Sequence, residues 1–499
     1  MTFSHRLRSL NEIKYRKLRT GTHVMRASAA SVGVKIFGDA HVRVNAAGGD
    51  LPKSLGVTGL QPIVEAAEGV SDNGGYEYSS PSQERARLAL AEYFGLSPSR
   101  IFFAGGLSSF SRELFEKHRL INGKDAVAIH ACASHPLFWQ DTHFNLGRFA
   151  VLEVNRTPDG KIDLGSLKER IRELEGRKVI VSLVPWENPT GIIYPESFFT
   201  GQDGLFEQLA PIRENVWLYL DCMYHDFGYI ESMSVKKLVE MANRYGFVGA
   251  IGVGLSKIML GPGLRGAGIG IFGDSEEIDA LHDYLVRWET STINSGVSNN
   301  TFAALEAAFS GREDVQRAIA ELRGRVKDRV FPNRSTLLQA DGIHPAYLAG
   351  LECAFYQLLR IEGTRWSDPN YTAQQWRRIR DKISEKLGER RRQYADKGWD
   401  PRDAGRRDLQ LFLTSRETLS DLLGYPETRL TPDESFVMDL IEHQGVALAP
   451  GSLFFSWDSH RFPLGPGGER HPIVRTVLSH DPSVYPQIVE AIQSLLRQG

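Results

Sequence analysis

Short apolar runs alternate with segments of helical periodicity from about Ser71 to Phe272. Four of the runs are rich in Val, Ile and Leu and are bounded by polar or glycine-containing segments, which is typical of strands buried on both faces. They are Asp125–His130, Lys178–Val184, Val216–Asp221 and Val248–Gly254. Helical spacing of apolar residues occurs in Gln83–Phe94 and Leu164–Glu175. This alternation predicts an α/β fold with a mostly parallel sheet flanked by helices.

The pattern changes after about residue 300. A long amphipathic stretch, Phe302–Leu338, predicts one or two helices, and Leu351–Ile361 and Gly445–Ala449 predict strands of a second domain. Between those strands, Arg377–Arg407 carries 12 basic and 6 acidic residues. We interpret it as a solvated helix with alternating charges. A basic patch for an anionic substrate is the alternative.

These patterns predict three parts of the chain. An N-terminal segment, residues 1–60, precedes a large domain over residues 61–310. A smaller C-terminal α/β domain occupies residues 311–499, with an insertion at about 362–435. The length of 499 residues and the 41% of hydrophobic residues are sufficient for more than one large core.

Composition argues against several classes of protein. The chain has 59 Lys and Arg against 61 Asp and Glu, whereas nucleic-acid binding usually requires a basic excess. Its 3 cysteines are too few for a disulfide framework or a zinc site, so we expect no metal. Apolar stretches such as Phe247–Leu255 are about half of the ~18 residues needed to cross a bilayer, and the basic N-terminus lacks the apolar core of a secretory signal. We expect a soluble, cytoplasmic protein with no membrane partner.

The segment Leu255–Phe272 carries the strongest chemical pattern. Lys257 comes directly after an apolar strand, where desolvation lowers the pKa of a lysine amine and lets it attack an aldehyde. Ser256 and Arg265 are placed to reach a phosphate, the arginine as a planar fork. Glycines between Lys257 and Phe272 permit close approach of the backbone. By itself the segment is also compatible with a surface turn that carries an incidental lysine.

Two further motifs follow apolar strands. Asp221 ends the run VWLYLD, and an acid on a buried strand needs a cation to offset its desolvation. Tyr224 follows three residues later. Asn188 begins the sequence Asn-Pro-Thr-Gly after another strand. Taken singly, the first motif is compatible with a helix N-cap and the second with a plain turn.

In this order and spacing, the motifs resemble those of the fold type I pyridoxal-phosphate enzymes and, more narrowly, of the class I and II aminotransferase family. Asn188 precedes Asp221 by 33 residues, and Asp221 precedes Lys257 by 36 residues. The resemblance runs from about Tyr76 to Arg475. It implies a large domain with a mostly parallel sheet, a smaller C-terminal domain, pyridoxal 5'-phosphate as cofactor and a homodimer.

The resemblance also implies a role for each matching residue. Lys257 would form the internal aldimine with the cofactor and move the proton between substrate and cofactor. Asp221 would pair with the pyridinium nitrogen, while Asn188 and Tyr224 would hold the ring oxygen. The phosphate ligands would be Ser256, Arg265 and, at a helix N-terminus, Gly106, Leu107 and Ser108.

Further positions match the family more loosely. Phe138 would stack on the cofactor ring, with Trp139 as a weaker candidate. Arg475 would bind the substrate α-carboxylate as a bidentate fork, beside Asn188. Tyr78, or else Tyr76, matches a tyrosine that each protomer lends to its neighbour across the dimer.

The sequence also departs from the family. Trp186 and Glu187 stand where many relatives carry asparagine or glycine, so we expect them to shape an unusual substrate pocket. Transamination of an α-amino acid is the leading hypothesis for the reaction. A β- or γ-elimination, replacement or cyclisation, or an oxidase reaction, in specialised biosynthetic metabolism is the alternative. A ligand sensor fused to a DNA-binding module is disfavoured, because residues 1–45 are short for a helix-turn-helix domain.

Overall fold

A computed structural model of the chain describes residues 36–37, 40–47, 60–70, 81–122, 126–131, 150–174, 176–258, 265–291, 297–348, 350–401, 430–451, 454 and 470–498. These residues form two compact units. The large unit comprises the described parts of residues 50–328 and 349–355, and the small unit comprises those of residues 1–49, 329–348 and 356–499. The predicted domain bounds at 61–310 and 311–499 stay a prediction.

The described strands are, in chain order, β1 (Val44–Asn45), β2 (Ile101–Ala104), β3 (Ala126–His130), β4 (Ala150–Glu153), β5 (Lys178–Leu183), β6 (Val216–Asp221), β7 (Val248–Gly254), β8 (Ala267–Phe272), β9 (Ile343–Pro345), β10 (Tyr356–Ile361), β11 (Val446–Ala447), β12 (Ala449–Pro450) and β13 (Ile473–Val477).

The described α-helices are α1 (Gln61–Glu68), α2 (Pro81–Phe94), α3 (Leu107–Asn122), α4 (Leu164–Arg172), α5 (Glu196–Phe199), α6 (Leu205–Leu209), α7 (Val235–Arg244), α8 (Leu255–Ile258), α9 (Glu276–Ser291), α10 (Asn299–Phe309), α11 (Glu313–Leu338), α12 (Pro369–Asp396), α13 (Pro432–Gln444) and α14 (Val484–Arg497). In this part of the chain, no helix is both long and apolar enough to span a membrane.

The large unit contains a seven-stranded sheet in the order β2-β8-β7-β6-β5-β3-β4. β8 is antiparallel to its neighbours β2 and β7, and the other neighbouring strands are parallel. The four predicted strands form as β3, β5, β6 and β7. Every residue of β6 is buried, as expected for a strand covered on both faces.

Helix α3 packs against this sheet through a buried apolar cluster. Phe110 and Leu114 from the helix meet Trp217 and Tyr219 from β6. Each fully buried side chain of this size stabilises the fold by about 1.5–3 kcal/mol. The glycines of β8 alternate with the β8 residues of this cluster and serve the packing of a different helix, because a Cβ atom on Gly268 would overlap the side chain of Leu90 in α2.

The small unit contains a four-stranded antiparallel sheet in the order β12-β13-β10-β9, and β1 pairs in parallel with β11. The sequence predicts one strand over Gly445–Ala449, but the structure divides this segment between two sheets. Gly445 ends helix α13 in the left-handed region, with a φ of 63°, which glycine adopts without strain. β11 then pairs with β1, and β12 pairs with β13.

The charged stretch at 377–407 is helical as far as Asp396, where α12 ends; residues 402–407 lie outside the described residues. The helix is amphipathic rather than solvated all round, because Trp376, Ile379 and Ile383 are buried. Its cations lie on the outer side, where Lys382 pairs with Glu442. The apolar stripe therefore holds this helix in the small unit's core.

The segment Phe302–Leu338, predicted as one or two helices, lies in two helices of the structure. α10 ends at Phe309 and α11 begins at Glu313, and Gly311 between them has a φ of 72°. The strand predicted over Leu351–Ile361 begins only at Tyr356. The preceding residues, Leu351–Phe355, belong to the large unit.

Candidate functional site

Most of the predicted site residues lie at one edge of the seven-stranded sheet. β8 is antiparallel to β2 and β7, so Ala267 at its start pairs with Ala104 and Gly254 at their ends. The carboxyl ends of β2, β7, β6 and β5 therefore meet at this edge, together with the start of β8. The candidates that follow or precede these ends are Gly106, Leu107, Ser108, Asn188, Asp221, Tyr224, Ser256, Lys257 and Arg265.

Asp221 is the last residue of β6 and lies opposite Gly252 of β7. Its side chain is buried, and within the described residues its hydrogen bond comes from the backbone amide of Met223, at 3.0 Å. Burial raises the pKa of the Asp221 carboxyl to about 6, because the charged form loses its hydration. A cation placed against this carboxylate would offset that cost.

The Asp221 carboxyl makes stability depend on pH in the absence of the cofactor. Its pKa is 3.8 in the unfolded chain and about 6 in the folded one, so the folded chain binds the extra proton and wild-type stability falls as pH rises from about 4 to about 6. We expect cofactor-free Asp221→Asn to be more stable than the wild type at pH 7.5, by at most about 3 kcal/mol. Near pH 4 the gain should vanish. Urea unfolding of both proteins at the two pH values measures the difference in their free energies of unfolding. The same difference at both pH values would contradict the argument.

Asn188 and Tyr224 are joined directly. Asn188 Nδ2 donates to the Tyr224 hydroxyl oxygen at 3.0 Å, and both side chains are buried. Lys257 lies in the short helix α8 directly after β7, and its Nζ is 6.0 Å from the centre of the Tyr224 ring. The structure therefore brings together three of the predicted residues around one point of the sheet edge. Ser256 precedes Lys257 in the same helix.

Gly106 and Arg265 form a second group at the same edge. Gly106 has a φ of 124°, and a Cβ atom there would lie 2.6 Å from Arg265 Nη2. The guanidinium therefore lies over the start of α3, which begins at Leu107 and continues with Ser108. The first amides of a helix have no intrahelical acceptors, and a helix N-terminus favours an anion. A guanidinium beside this terminus makes the position suitable for a phosphate.

The loops that carry Asn188 and Tyr224 are held by residues 352–354, which the sequence analysis assigned only to a strand of the second domain. The amides of Glu352 and Cys353 donate to the Gly191 carbonyl at 2.8 and 3.0 Å. The Ala354 amide donates to the Phe227 carbonyl at 3.0 Å. Ala354 has a φ of 59°, which is uncommon for a residue with a Cβ atom. A non-glycine residue in this conformation indicates that the surrounding contacts fix the segment.

Trp186 and Glu187 do not shape a substrate pocket, so that prediction is wrong. Both side chains are buried. The Trp186 indole donates to Ser232 Oγ at 3.2 Å, and its ring meets the His225 ring edge-on at 4.6 Å. Glu187 is paired with Arg156. Both residues therefore have polar partners inside the protein. These partners offset the free-energy cost of burying a polar group.

Arg475 lies on β13 in the small unit. Its guanidinium carbon is 4.4 Å from the centre of the Tyr356 ring and 4.6 Å from that of the Phe454 ring. Its Nη2 donates to the Ala47 carbonyl at 2.7 Å. Stacking between two rings fixes the plane of the guanidinium, which suits bidentate recognition of a carboxylate.

Several predicted residues lie outside the described part of the chain. These are Tyr76, Tyr78, Phe138 and Trp139.

One group of potential metal ligands occurs among the described residues. Ligand atoms of Asp439, Glu442 and His443 lie within 4.8 Å of one another. The buried Asp439 carboxylate, however, already accepts hydrogen bonds from four side chains: Arg365, Trp366, Tyr371 and Gln375. We interpret Asp439 as a structural anion that joins α12 and α13.

The residues at the sheet edge fit a phosphorylated pyridine aldehyde. Lys257 is the lysine whose amine can react with the aldehyde, and Asp221 is the buried carboxylate that can pair with a protonated ring nitrogen. Asn188 and Tyr224 supply polar groups for a ring oxygen, and the Gly106–Arg265 position fits the phosphate. These four requirements together describe pyridoxal 5'-phosphate.

Comparison with known proteins gives an independent result. The sequence profile described as aminotransferase class I and II matches residues 49–344. Among solved structures, an alanine aminotransferase from Pyrococcus furiosus is 14% identical and covers 97% of this chain and 99% of that one, with a TM-score of 0.65. An aminotransferase from Escherichia coli is 15% identical and covers 91% and 90%, with a TM-score of 0.64. An alpha-aminoadipate aminotransferase from Thermus thermophilus is 15% identical and covers 92% and 94%, with a TM-score of 0.59. The likeness of these structures confirms the predicted fold. A search of curated proteins gave no match.

Proposed function

We propose that this chain, which belongs to the class I and II aminotransferase family, transfers the amino group of an α-amino acid to a 2-oxo acid through the residues at the sheet edge. The family match makes it a pyridoxal-phosphate-dependent aminotransferase. The observation that carries our residue assignment is the meeting of Lys257, Asp221 and the hydrogen-bonded pair Asn188–Tyr224 at one edge of one sheet.

Each of these side chains has a distinct task. The bound cofactor supplies an electron sink for the pair of electrons left when the substrate α-carbon loses its proton. Lys257 Nζ would hold the cofactor covalently and, once released as an amine, would serve as the base that moves the substrate proton. The Asp221 carboxylate keeps a proton on the pyridine nitrogen, because their attraction offsets the burial of both charges.

The remaining assignments concern binding. Asn188 and Tyr224 would hydrogen-bond to the phenolic oxygen of the ring, and Ser256, Arg265 and the start of α3 would bind the phosphate. Arg475 binds the substrate carboxylate as a planar fork.

Two assignments and the assembly are supported by the family resemblance. By that resemblance Phe138 would stack on the cofactor ring, and Tyr78 would serve the site of a neighbouring protomer in a homodimer. We also keep the cytoplasm as the proposed location.

Product analysis tests the proposed reaction. The purified enzyme is incubated with pyridoxal phosphate, a panel of α-amino acids and a 2-oxo acid. We expect one amino acid to be consumed in step with the oxo acid, and a new amino acid to appear in equal amount. Release of ammonia without consumption of the oxo acid would instead indicate elimination, and consumption of oxygen would indicate an oxidase. Either outcome would overturn transamination.

A further inference from the structure

We propose that the buried ion pair Arg156–Glu187 is a positioning pair for Asn188, through which it sets the acidity of the bound cofactor. This inference rests on the proposed function, because it assumes that Asn188 donates to the cofactor's ring oxygen. Neither Arg156 nor Glu187 is expected to touch cofactor or substrate. Their effect is exerted through the turn that carries Asn188.

The pair is fully enclosed and has a defined geometry. The side chains of Arg156 and Glu187 are 4% and 0% exposed. Both guanidinium Nη atoms donate to the carboxylate, one to each oxygen, with Nη1 at 3.1 Å from Oε2. The Tyr194 hydroxyl also donates to Oε2, at 2.9 Å. A bidentate contact with a third donor leaves the Glu187 carboxylate a single orientation.

The backbone of Glu187 closes the turn that contains Asn188. Its amide donates to the Ile192 carbonyl at 2.8 Å, and its carbonyl accepts from the Gly191 amide at 2.9 Å. Both hydrogen bonds that close the turn therefore involve Glu187, whose side chain the ion pair fixes. Within the turn, Asn188 Nδ2 reaches the Tyr224 hydroxyl at 3.0 Å.

The partner of Glu187 comes from another part of the sheet edge. Arg156 lies just after β4 and forms an isolated bridge with Ile162, whereas Glu187 follows β5, and β3 separates these two strands. The pair therefore ties the turn across the edge of the sheet. For stability alone, an apolar pair of similar volume would serve as well, because desolvation offsets much of the attraction between buried charges. What the ion pair provides beyond stability is a fixed orientation of the Glu187 side chain.

The side-chain amide of Asn188 links the ion pair to the acidity of the cofactor. A hydrogen bond to the ring oxygen stabilises its anionic form and thereby lowers the pKa of the neighbouring nitrogen that Lys257 supplies. If the turn relaxes, this hydrogen bond weakens and the nitrogen retains its proton to a higher pH. The visible absorption band of the bound cofactor reports this protonation directly.

The test compares three variants of the cofactor-loaded enzyme by pH titration of that band and by thermal unfolding. Glu187→Gln removes the charge but keeps the side-chain shape. Tyr194→Phe removes only the third donor. Glu289→Gln is the matched control, because it breaks another largely buried arginine–glutamate pair of the large unit, Arg87–Glu289, with side chains 17% and 13% exposed.

We expect Glu187→Gln to raise the pH midpoint of the band by roughly half to one pH unit, the equivalent of one hydrogen bond. Tyr194→Phe should shift it in the same direction by less, and it decides the question if Glu187→Gln does not fold. Glu289→Gln should lower the melting temperature and leave the midpoint unchanged. Lower melting temperatures for Glu187→Gln and Tyr194→Phe with an unchanged midpoint would overturn the positioning role. A wild-type enzyme without a visible band would instead refute the proposed function.

Discussion

Lys257→Ala loses amino transfer by roughly 10⁴-fold or more, because the lysine acts twice and general acid–base catalysis alone contributes 10²–10⁴-fold. The variant removes the amine that holds the cofactor covalently and the base that moves the substrate proton. Lys257 lies in α8, directly after the buried strand β7, and its Nζ is 6.0 Å from the centre of the Tyr224 ring. No other lysine is placed at the carboxyl ends of β2, β5, β6 or β7 among the described residues.

The measurement is single-turnover and steady-state amino transfer, together with circular dichroism. Lys237→Ala is the control, because Lys237 belongs to the same unit but is 48% exposed and pairs with Glu196 on the surface. The control should keep wild-type rates, and both variants should keep the wild-type spectrum in the far ultraviolet. Amino transfer by Lys257→Ala at more than about a hundredth of the wild-type rate would contradict the assignment, since loss of a general base alone lowers the rate by at least about 10²-fold.

Arg475→Lys lowers kcat/KM by about ten- to hundred-fold, the range expected for weakening hydrogen bonds to a charged group. Lysine keeps the positive charge but loses the planar fork and the stacking between the Tyr356 and Phe454 rings. The amino acid and the oxo acid both carry the carboxylate that this arginine is proposed to bind. We therefore expect the two half-reactions to lose kcat/KM to a similar extent.

Arg334→Lys controls for a general loss of stability in the small unit. Arg334 Nε donates to Gln357 Oε1 at 2.7 Å, so the variant perturbs a structural contact of an arginine in the same unit. It should leave both half-reactions close to wild type. An effect of Arg475→Lys confined to one half-reaction, or equal to that of Arg334→Lys, would exclude a role in carboxylate binding.

Four strands of the large unit, β3, β5, β6 and β7, and the sheet edge that carries the candidate site could be predicted from the sequence. Buried parallel strands consist of uninterrupted apolar runs, and the motifs at Asn188, Asp221 and Lys257 each follow such a run. Because parallel strands end at the same edge of a sheet, residues at the ends of neighbouring strands lie close together in the fold. The contact between Gly106 and Arg265 has a different origin: β8 is antiparallel to β2 and therefore starts where β2 ends.

Contacts between distant segments could not be predicted. Nothing in the residues around Leu351–Phe355 indicates that they bind the Gly191 and Phe227 carbonyls, because backbone hydrogen bonds have no sequence signature. The sequence predicts that Glu187 shapes a substrate pocket, because many members of the family it resembles carry asparagine or glycine there. Its burial depends on Arg156, which lies 31 residues away. A single sequence shows each charge but not which charges meet.

The visible spectrum of the purified protein, recorded with pyridoxal phosphate before and after addition of single α-amino acids without any oxo acid, tests the central claim most directly. We expect an absorption band of the lysine-bound cofactor, and its conversion by the true substrate into the pyridoxamine form in one equivalent. The same band should be absent from Lys257→Ala. A protein that shows no band with added pyridoxal phosphate, or a band that Lys257→Ala retains, would contradict the assignment of the site.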